Sequence, residues 1–244
     1  MKRINTLLWA LLLPALFTSC NSNGEYVNHN GTICYSYWTF SFGTKYDPLP
    51  QVNPATFKSV ESWLGHDGKH VYFKDRLIEG ADATTIKAKK FPLCFDKNDY
   101  YYKGKAMRVA SVKNFEVINW NEDDMWAVDG RYAYYDSLRI DSVDLGSFKL
   151  QAYNVATDRN HVYRYGKILP LADPATYIEQ WKGLYSRDKD HVWYCGQLID
   201  DADCATFVID KDGARDKHGH FYRGERVTDE QWQQIVKERD SDDL

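Results

Sequence analysis

The sequence lacks the phrases by which the common enzyme classes are usually identified. None of the patterns GxSxG, HExxH, GxGxxG or the P-loop occurs in its 244 residues, so hydrolase, metalloprotease and nucleotide sites have no motif support. Basic residues are not clustered and the formal net charge is −4, whereas nucleic acids are bound through clustered Lys and Arg. We therefore expect no enzymatic activity and no nucleic-acid partner.

Metal-binding spacings are absent too. The chain has no CxxC phrase and no Cys/His cluster. His70, His161 and His191 recur at one place in a repeated phrase, but side-by-side copies would separate them by at least about 4.8 Å, too far apart for a shared ion. We expect no metal site and no cofactor.

Long hydrophobic runs are missing except near the start. Residues 7–17 are apolar apart from Pro14 and follow Lys2 and Arg3. This run is too short to span a bilayer, which takes about 20 residues, and it predicts a secretory signal peptide over residues 1–19.

The end of this signal, Phe17-Thr18-Ser19-Cys20, resembles a bacterial lipobox. The resemblance implies a diacylglycerol thioether and further acyl groups on Cys20. Attachment to the membrane would then be through the N-terminal lipid, since several acyl chains hold firmly. The alternative is an ordinary secretory signal with an incidental cysteine. Asn21, by resemblance to enterobacterial sorting, favours the outer membrane of the cell envelope over the inner one, and residues 20–30 are expected to be a linker.

The four remaining cysteines are Cys34, Cys94, Cys195 and Cys204. An exported chain can oxidise them, and four cysteines allow three pairings. We expect Cys195–Cys204, across a tight turn, and Cys34–Cys94. Four buried free thiols are the alternative.

Aromatic residues are abundant, with 18 Tyr, 11 Phe and 8 Trp. They favour strands over helix interiors. Exposed tryptophans could stack on sugar rings or contact a protein partner; the alternative is that they fill a core between repeats. The candidates for such a binding surface are Trp63, Trp120, Trp126, Trp181 and Trp193.

One phrase recurs along the chain. Its copies start near residues 31, 67, 96, 129, 158, 188 and 216, the first of them degenerate. Each opens with an aspartate in turn context, as Asp96 does in DKNDYYYKG. An alternating run such as HVYRY predicts a strand, and Tyr165-Gly166 predicts a hairpin turn to a second strand.

The end of each copy resembles a helix start. In Asp173-Pro174-Ala175-Thr176-Tyr177 an N-cap residue precedes proline, which predicts one or two helical turns. A third strand, such as WKGLYSR, then leads into the next copy. The aromatic residues that end these segments are expected to pack inward: Phe57, Phe115, Phe148, Tyr177 and Phe207.

The phrases DKNDYYYKG, DRNHVYRYGKIL and DKDHVWYCGQLI resemble the DKNYY repeat family, over about residues 53–227. The resemblance implies a bacterial, often exported protein. It carries no catalytic residues to this chain.

A 30-residue copy cannot bury its own apolar face, so the copies must stack. We predict a mainly β repeat domain over 31–227, made of hairpins with a short helix and a third strand and stacked as an open curved array, with a capping helix and tail at 228–244. A closed, propeller-like ring is the alternative, although propeller blades are usually longer. The expected function is a membrane-anchored protein-binding or scaffold module. The alternative is a carbohydrate-binding or carbohydrate-cleaving envelope protein.

Overall fold

Short antiparallel strands dominate the protein. The computed structural model describes residues 24–120, 124–152, 154–180, 184–209 and 213–242. The strands of the first four sheets are β1 Glu25–His29, β2 Thr32–Thr39, β3 Gly43–Pro48, β4 Lys58–Glu61, β5 Leu64–His66, β6 Val71–Phe73, β7 Arg76–Leu77, β8 Lys87–Lys90, β9 Leu93–Phe95, β10 Tyr100–Tyr102, β11 Lys105–Ala106, β12 Glu116–Trp120, β13 Met125–Val128, β14 Ala133–Tyr135 and β15 Leu138–Ile140. The remaining elements are β16 Lys149–Ala152, β17 Val155–Thr157, β18 Val162–Arg164, β19 Lys167–Ile168, β20 Ile178–Gln180, β21 Tyr185–Arg187, β22 Val192–Tyr194, β23 Gln197–Leu198, β24 Val208–Ile209, β25 Ala214–Asp216, β26 Gly219–Tyr222, β27 Glu225–Val227 and the helix α1 Asp229–Asp242.

These strands form seven sheets that follow one another along the chain. β1–β3 make the first sheet, and each later run of four strands, from β4–β7 to β24–β27, makes one more. In every sheet the strands pair in chain order and antiparallel. Within the described residues none of the sheets closes into a barrel, and together they form an open array. The predicted mainly β open array is therefore confirmed, and the ring alternative is not what the structure has.

The third strand of each four-stranded sheet except the last packs against both neighbouring sheets. Val71 and Phe73 of β6 pack forward with Cys94 and Tyr101 of the third sheet. Tyr72, between them, packs back on Tyr35 of the first sheet. Alternate side chains of a strand point to opposite faces, so a run of three apolar residues is buried throughout. The same division recurs at β10, β14, β18 and β22.

Six apolar clusters result, each lying between two successive sheets. The expected inward aromatics take part: Phe115, Tyr177 and Phe207 are buried, and Phe57 and Phe148 are half-buried against their clusters. The last sheet is covered by α1, whose Trp232 stacks on His220 at 4.5 Å between ring centroids.

The hairpin turn after each third strand contacts the preceding sheet. Gly166 has φ +72°, a backbone conformation that favours glycine. A Cβ at this position would lie 2.6 Å from Cβ of Tyr135, at the end of the third strand one sheet earlier. Gly166 is therefore required both by the turn and by the close approach of two sheets.

Three details of the predicted unit need correction. The segment expected to be one third strand is a hairpin in each four-stranded sheet: between β4 and β5 the chain reverses at residues 62–63, with a bulge between Ser59 and Glu61. In place of the predicted helix of one or two turns, residues 174–176 form a single hydrogen-bonded turn outside any helix, in which the Asp173 carbonyl accepts the N–H groups of Thr176 and Tyr177 at 3.2 and 3.0 Å. β20 starts at the next residue, which leaves no length for a second turn.

The third correction concerns the start of the array. β1, Glu25–His29, lies within residues expected to be a linker and pairs with β2 from Glu25↔Ser36 to His29↔Thr32. The first sheet thus begins before residue 31. At the other end α1 lies within the segment 228–244 that the sequence predicts as the capping helix and tail.

Candidate functional site

The aspartate that opens each repeated phrase is buried in the turn between the second and third strands. Asp96 Oδ1 accepts the backbone N–H groups of Asn98 at 2.7 Å and Asp99 at 2.9 Å. Its Oδ2 accepts the backbone N–H of Asp82 at 2.6 Å. Asp82 lies in the loop that leaves the preceding sheet, so one carboxylate shapes its own turn and joins two sheets.

This joint occurs in all six copies from residue 67 onward. Oδ2 of Asp67, Asp96, Asp129, Asp158, Asp188 and Asp216 accepts one loop N–H at 2.5 to 2.9 Å, from Asn53, Asp82, Ala110, Asp144, Asp173 and Asp203 respectively. Buried backbone N–H groups need acceptors, and the aspartates supply them where the chain passes from one sheet to the next.

A tyrosine five residues later donates to the same carboxylate in three copies. The Oη–Oδ2 distances are 2.8 Å for Tyr101 and Asp96, 2.5 Å for Tyr134 and Asp129, and 2.7 Å for Tyr163 and Asp158. In the last copy Phe221 occupies the tyrosine position, and Arg226 donates to both oxygens of Asp216 at 2.9 Å.

These donors lower the pKa of four of the aspartates, Asp67, Asp129, Asp158 and Asp216, and so favour the ionised carboxylate. Burial raises the pKa of Asp67, but the backbone N–H groups of His70, Asn53 and Lys69 outweigh it and the pKa lies well below its usual range. The Arg226 guanidinium lowers the pKa of Asp216. Burial, together with the bond to Asp158, raises the pKa of Tyr163, which therefore stays protonated as a donor.

The residue after the buried aspartate makes a second link to the same loop. Lys97 Nζ lies 2.6 Å from Oδ2 of Asp82. Arg159–Asp144, Lys189–Asp173 and Lys217–Asp203 are equivalent ion pairs. The phrase DKNDYYYKG thus encodes a joint between sheets, in which the side chains of Asp96, Lys97, Asp99 and Tyr101 are bonded to protein groups.

The recurrent histidines belong to these joints. His70 Nδ1 lies 3.1 Å from Asp67 Oδ2, and His161 Nδ1 lies 3.2 Å from the Tyr163 hydroxyl. Among the described residues no group of three or more His, Cys, Asp or Glu side chains is arranged to hold a metal ion.

Three of the five candidate tryptophans do not lie on a surface, which corrects the predicted aromatic patch. Trp63, Trp126 and Trp193 are buried in the clusters between sheets. Trp120 is half-buried against Tyr102, and Trp181 lies outside the described residues. Since the sheets are stacked face to face, these three tryptophans fill the interfaces between sheets rather than solvent-facing sites.

The predicted disulfides are also corrected, because Cys34, Cys94, Cys195 and Cys204 are free thiols. Cys34 lies in the first sheet and Cys94 in the third, with the second sheet between them. Cys204 donates to the Asp188 carbonyl at 3.1 Å, in the turn that precedes β22, whereas Cys195 follows the end of β22. The two cysteines therefore lie at opposite ends of one strand. Cys20 lies outside the described residues.

A groove of about 480 Å³ crosses the fourth strands of three successive sheets. Its lining residues come from the ends of the second, third and fourth sheets: Leu77, Glu79, Gly104, Lys105, Ala106, Met107, Arg108, Ser137, Arg139 and Asp141. Met107 is buried, whereas Lys105 and Arg108 are exposed. This open groove is the candidate functional site.

The cationic side of the groove is positioned by the repeat itself. Asp99 takes the place that histidine has in other copies, and its carboxylate accepts the N–H groups of Arg108 at 2.9 Å and Val109 at 3.0 Å. Arg139 is held by Asp141 at 2.7 Å and donates to the Arg108 carbonyl at 3.1 Å. Lys105 and Arg108 form no ion pair with the described residues, so two charges remain available to a ligand.

Sequence reasoning missed this groove. Its residues belong to three different copies, and the types and spacings do not distinguish them from other surface residues. The one available signal was Asp99, an acid in DKND where three other copies have histidine.

Comparison with known proteins finds a family match over part of the chain. The DKNYY family model matches residues 19–105, which span the first three sheets. This match supports the resemblance to that repeat family. No curated protein and no solved structure matches the chain.

Proposed function

We propose that the protein is a non-enzymatic, lipid-anchored repeat protein of the bacterial cell envelope that binds a protein partner and acts as an adaptor or scaffold. The observation that carries the proposal is that the repeated side chains are bonded within the fold, whereas two cations of the groove are not. The repeated acids and aromatic residues are used in joints between sheets, whereas the groove across the fourth strands presents Lys105 and Arg108 without ion-pair partners among the described residues.

The anchor is proposed from the sequence. The leader over residues 1–19 and the lipobox-like FTSC support acylation at Cys20, and Asn21 favours the outer membrane. No helix in the described part of the chain is long and apolar enough to cross a membrane. Several acyl chains would hold the array at the membrane surface.

A protein partner fits the groove better than a small molecule. The groove is open to solvent and is lined by residues from three sheets, whereas small-molecule sites enclose most of their ligand. Its unpaired cations favour a partner that presents carboxylates, since charge complementarity directs association.

The glycan alternative has less support. It was based on exposed tryptophans and an excess of acids. Trp63, Trp126 and Trp193 are buried, and the repeated acids are bonded within joints. Glycan binding therefore enters as an outcome of the test rather than as a second proposal.

The test is photo-crosslinking in living cells from a reactive residue in place of Lys105. A matched control carries it in place of Lys87, an exposed residue on β8 at the opposite edge of the same sheet. We expect one reproducible envelope protein to be captured from position 105 alone, and Arg108→Glu to abolish capture. Equal capture from both positions, or none, would overturn the groove as a protein site. If no protein is captured, and the purified protein is instead retarded in electrophoresis through a gel that contains an envelope polysaccharide, the glycan alternative would be supported.

The anchor is tested separately by fractionation. Wild-type protein should sediment with membranes, and acyl groups should be found on Cys20 by mass spectrometry. Cys20→Ala should leave the membrane fraction. If that variant, with its signal peptide still removed, stayed as firmly bound as wild type, lipid attachment at Cys20 would be wrong.

A further inference from the structure

The hairpin tip between β2 and β3 exposes three large aromatic side chains. Phe40 is 93% exposed, Phe42 74% and Trp38 65%. They lie within five consecutive residues, whereas other tryptophans are buried or half-buried wherever they are described. Isolated exposed apolar residues are ordinary on a protein surface, but a contiguous group of this kind marks an interaction site.

The tip is an ordered turn. The Thr39 hydroxyl accepts the Phe42 N–H at 3.2 Å and lies 3.2 Å from the Gly43 carbonyl, to which it donates. The Trp38 and Phe40 rings meet edge to face at 6.2 Å. The three rings are thus presented by a fixed hairpin.

The charge of the tip is suited to an anionic surface. Between Ser36 and Tyr46 the one charged residue is Lys45, although charged residues make up 27% of the chain. The Lys45 ammonium lies 4.5 Å from the centroid of the Phe42 ring. A lysine beside exposed aromatic rings is the composition of a segment that lies at a membrane interface.

The register of the first sheet places this tip at the same end as the start of the described chain. Glu25, the first residue of β1, pairs with Ser36 of β2. From Ser36 the chain runs on to Phe40, about 14 Å further at strand spacing. Four residues lie between Cys20 and Glu25, and the five Cα–Cα steps that join them can reach at most about 17 Å. A lipid on Cys20 would therefore hold the tip within reach of the bilayer surface.

We propose that Trp38, Phe40 and Phe42 insert into the interfacial region of the bilayer that carries the lipid on Cys20. This inference rests on the proposed lipid attachment. The tip would then be a second membrane contact that fixes the first sheet against the bilayer, and the later sheets would extend from that fixed end.

The test uses the full acylated lipoprotein in vesicles of phosphatidylethanolamine and phosphatidylglycerol, with and without acyl-chain-brominated lipid. Bromine quenches tryptophan at short range, and Trp38 is the most exposed of the described tryptophans. We expect quenching in wild type, loss of most of it in Trp38→Phe, and a clear reduction in Phe40→Ser/Phe42→Ser. Leu171→Ser, which removes another exposed apolar side chain, should behave as wild type.

The outcomes separate the tip from the anchor. Protein that floats with the vesicles while Trp38→Phe leaves quenching unchanged would overturn the tip inference and leave the anchor standing. A second outcome is that the isolated protein carries no acyl groups and still floats with the vesicles. If the Phe40→Ser/Phe42→Ser variant then no longer floated, the membrane contact of the tip would be supported and lipid attachment at Cys20 would be refuted. Protein that neither floats nor is quenched would refute both.

Discussion

The backbone N–H of Asp82 donates to Oδ2 of Asp96 at 2.6 Å, across the boundary between the second and third sheets. Asp82 lies in the loop between β7 and β8, which joins the two sheets, and Asp96 begins the turn between β9 and β10 of the third sheet. The exposed Lys97 side chain forms an ion pair with Asp82 and so links the same two segments a second time. A carboxylate that accepts three backbone N–H groups is fully used inside the fold, which is why we assign the phrase to architecture and look for function elsewhere on the surface.

The tyrosine hydroxyl in the joint should contribute measurably to stability. Tyr163→Phe removes the donor to Asp158 Oδ2 and leaves the ring in its cluster. A hydrogen bond to a charged group contributes about 1.5–3 kcal/mol, so we expect a loss of that size in the free energy of unfolding from urea denaturation. Tyr165→Phe, at an exposed position in the following turn, is the matched control and should change little. Equal effects of the two substitutions would contradict the assignment.

The hairpin-turn glycine should be less replaceable than a glycine in an open turn. Gly166→Ala and Gly31→Ala both place alanine at positive φ, +72° and +85°, which costs about 1–2 kcal/mol. At Gly31 no atom lies within 4 Å of the added Cβ, whereas at Gly166 it would lie 2.6 Å from Tyr135 Cβ. We expect Gly166→Ala to cost about 1–3 kcal/mol more, measured as the difference in unfolding free energy. No difference would mean that adjacent sheets are not in close contact there.

Acid should weaken the array. The pKa values of Asp129 and Asp158 lie below the ordinary range because backbone and tyrosine donors outweigh burial. A carboxylate with a lowered folded-state pKa stabilises the fold above its unfolded-state pKa of about 3.9 and loses that contribution as pH falls through the folded-state value.

The denaturation midpoint should therefore fall steeply below about pH 5. Asp136 and Glu179 contribute to the pH dependence of stability with the opposite sign, because burial raises their pKa values. They are outnumbered by the joint aspartates with lowered pKa values, which include Asp67 and Asp216. A midpoint that stays constant from pH 5 to pH 2 would disagree with ionised joints.

The sequence predicted the repeat, the strands, the turn glycines and the inward aromatic residues, because each depends on local chemistry. Alternation in HVYRY or YYY reports a strand, and Tyr165-Gly166 reports a turn whatever the neighbours are. The inference that Asp96 in DKNDYYYKG belongs to a turn rested on the same repetition, and the bonds of Asp96 account for it.

What the sequence could not predict depends on pairing between copies. The groove takes Leu77, Lys105 and Arg139 from three different sheets. Trp63 and Trp193 were ambiguous because a strand in a stack of sheets is covered on both faces. The expected Cys195–Cys204 pair failed because nine residues of separation, with β23 between them, place the two thiols at opposite ends of β22.

The central claim, that the repeated aspartates are joints rather than ligand-binding groups, is tested most directly in one turn. Asp188 accepts N–H groups from Asp190, His191 and Asp173, and Asp190 is exposed two residues away. We would measure the unfolding free energy of Asp188→Asn and Asp190→Asn. An amide at position 188 turns one acceptor into a donor facing an N–H, so we predict a loss of about 1–3 kcal/mol for Asp188→Asn and almost none for Asp190→Asn. An Asp188→Asn protein as stable as its control, or more stable, would contradict the claim and make the repeated aspartates candidate ligand-binding residues.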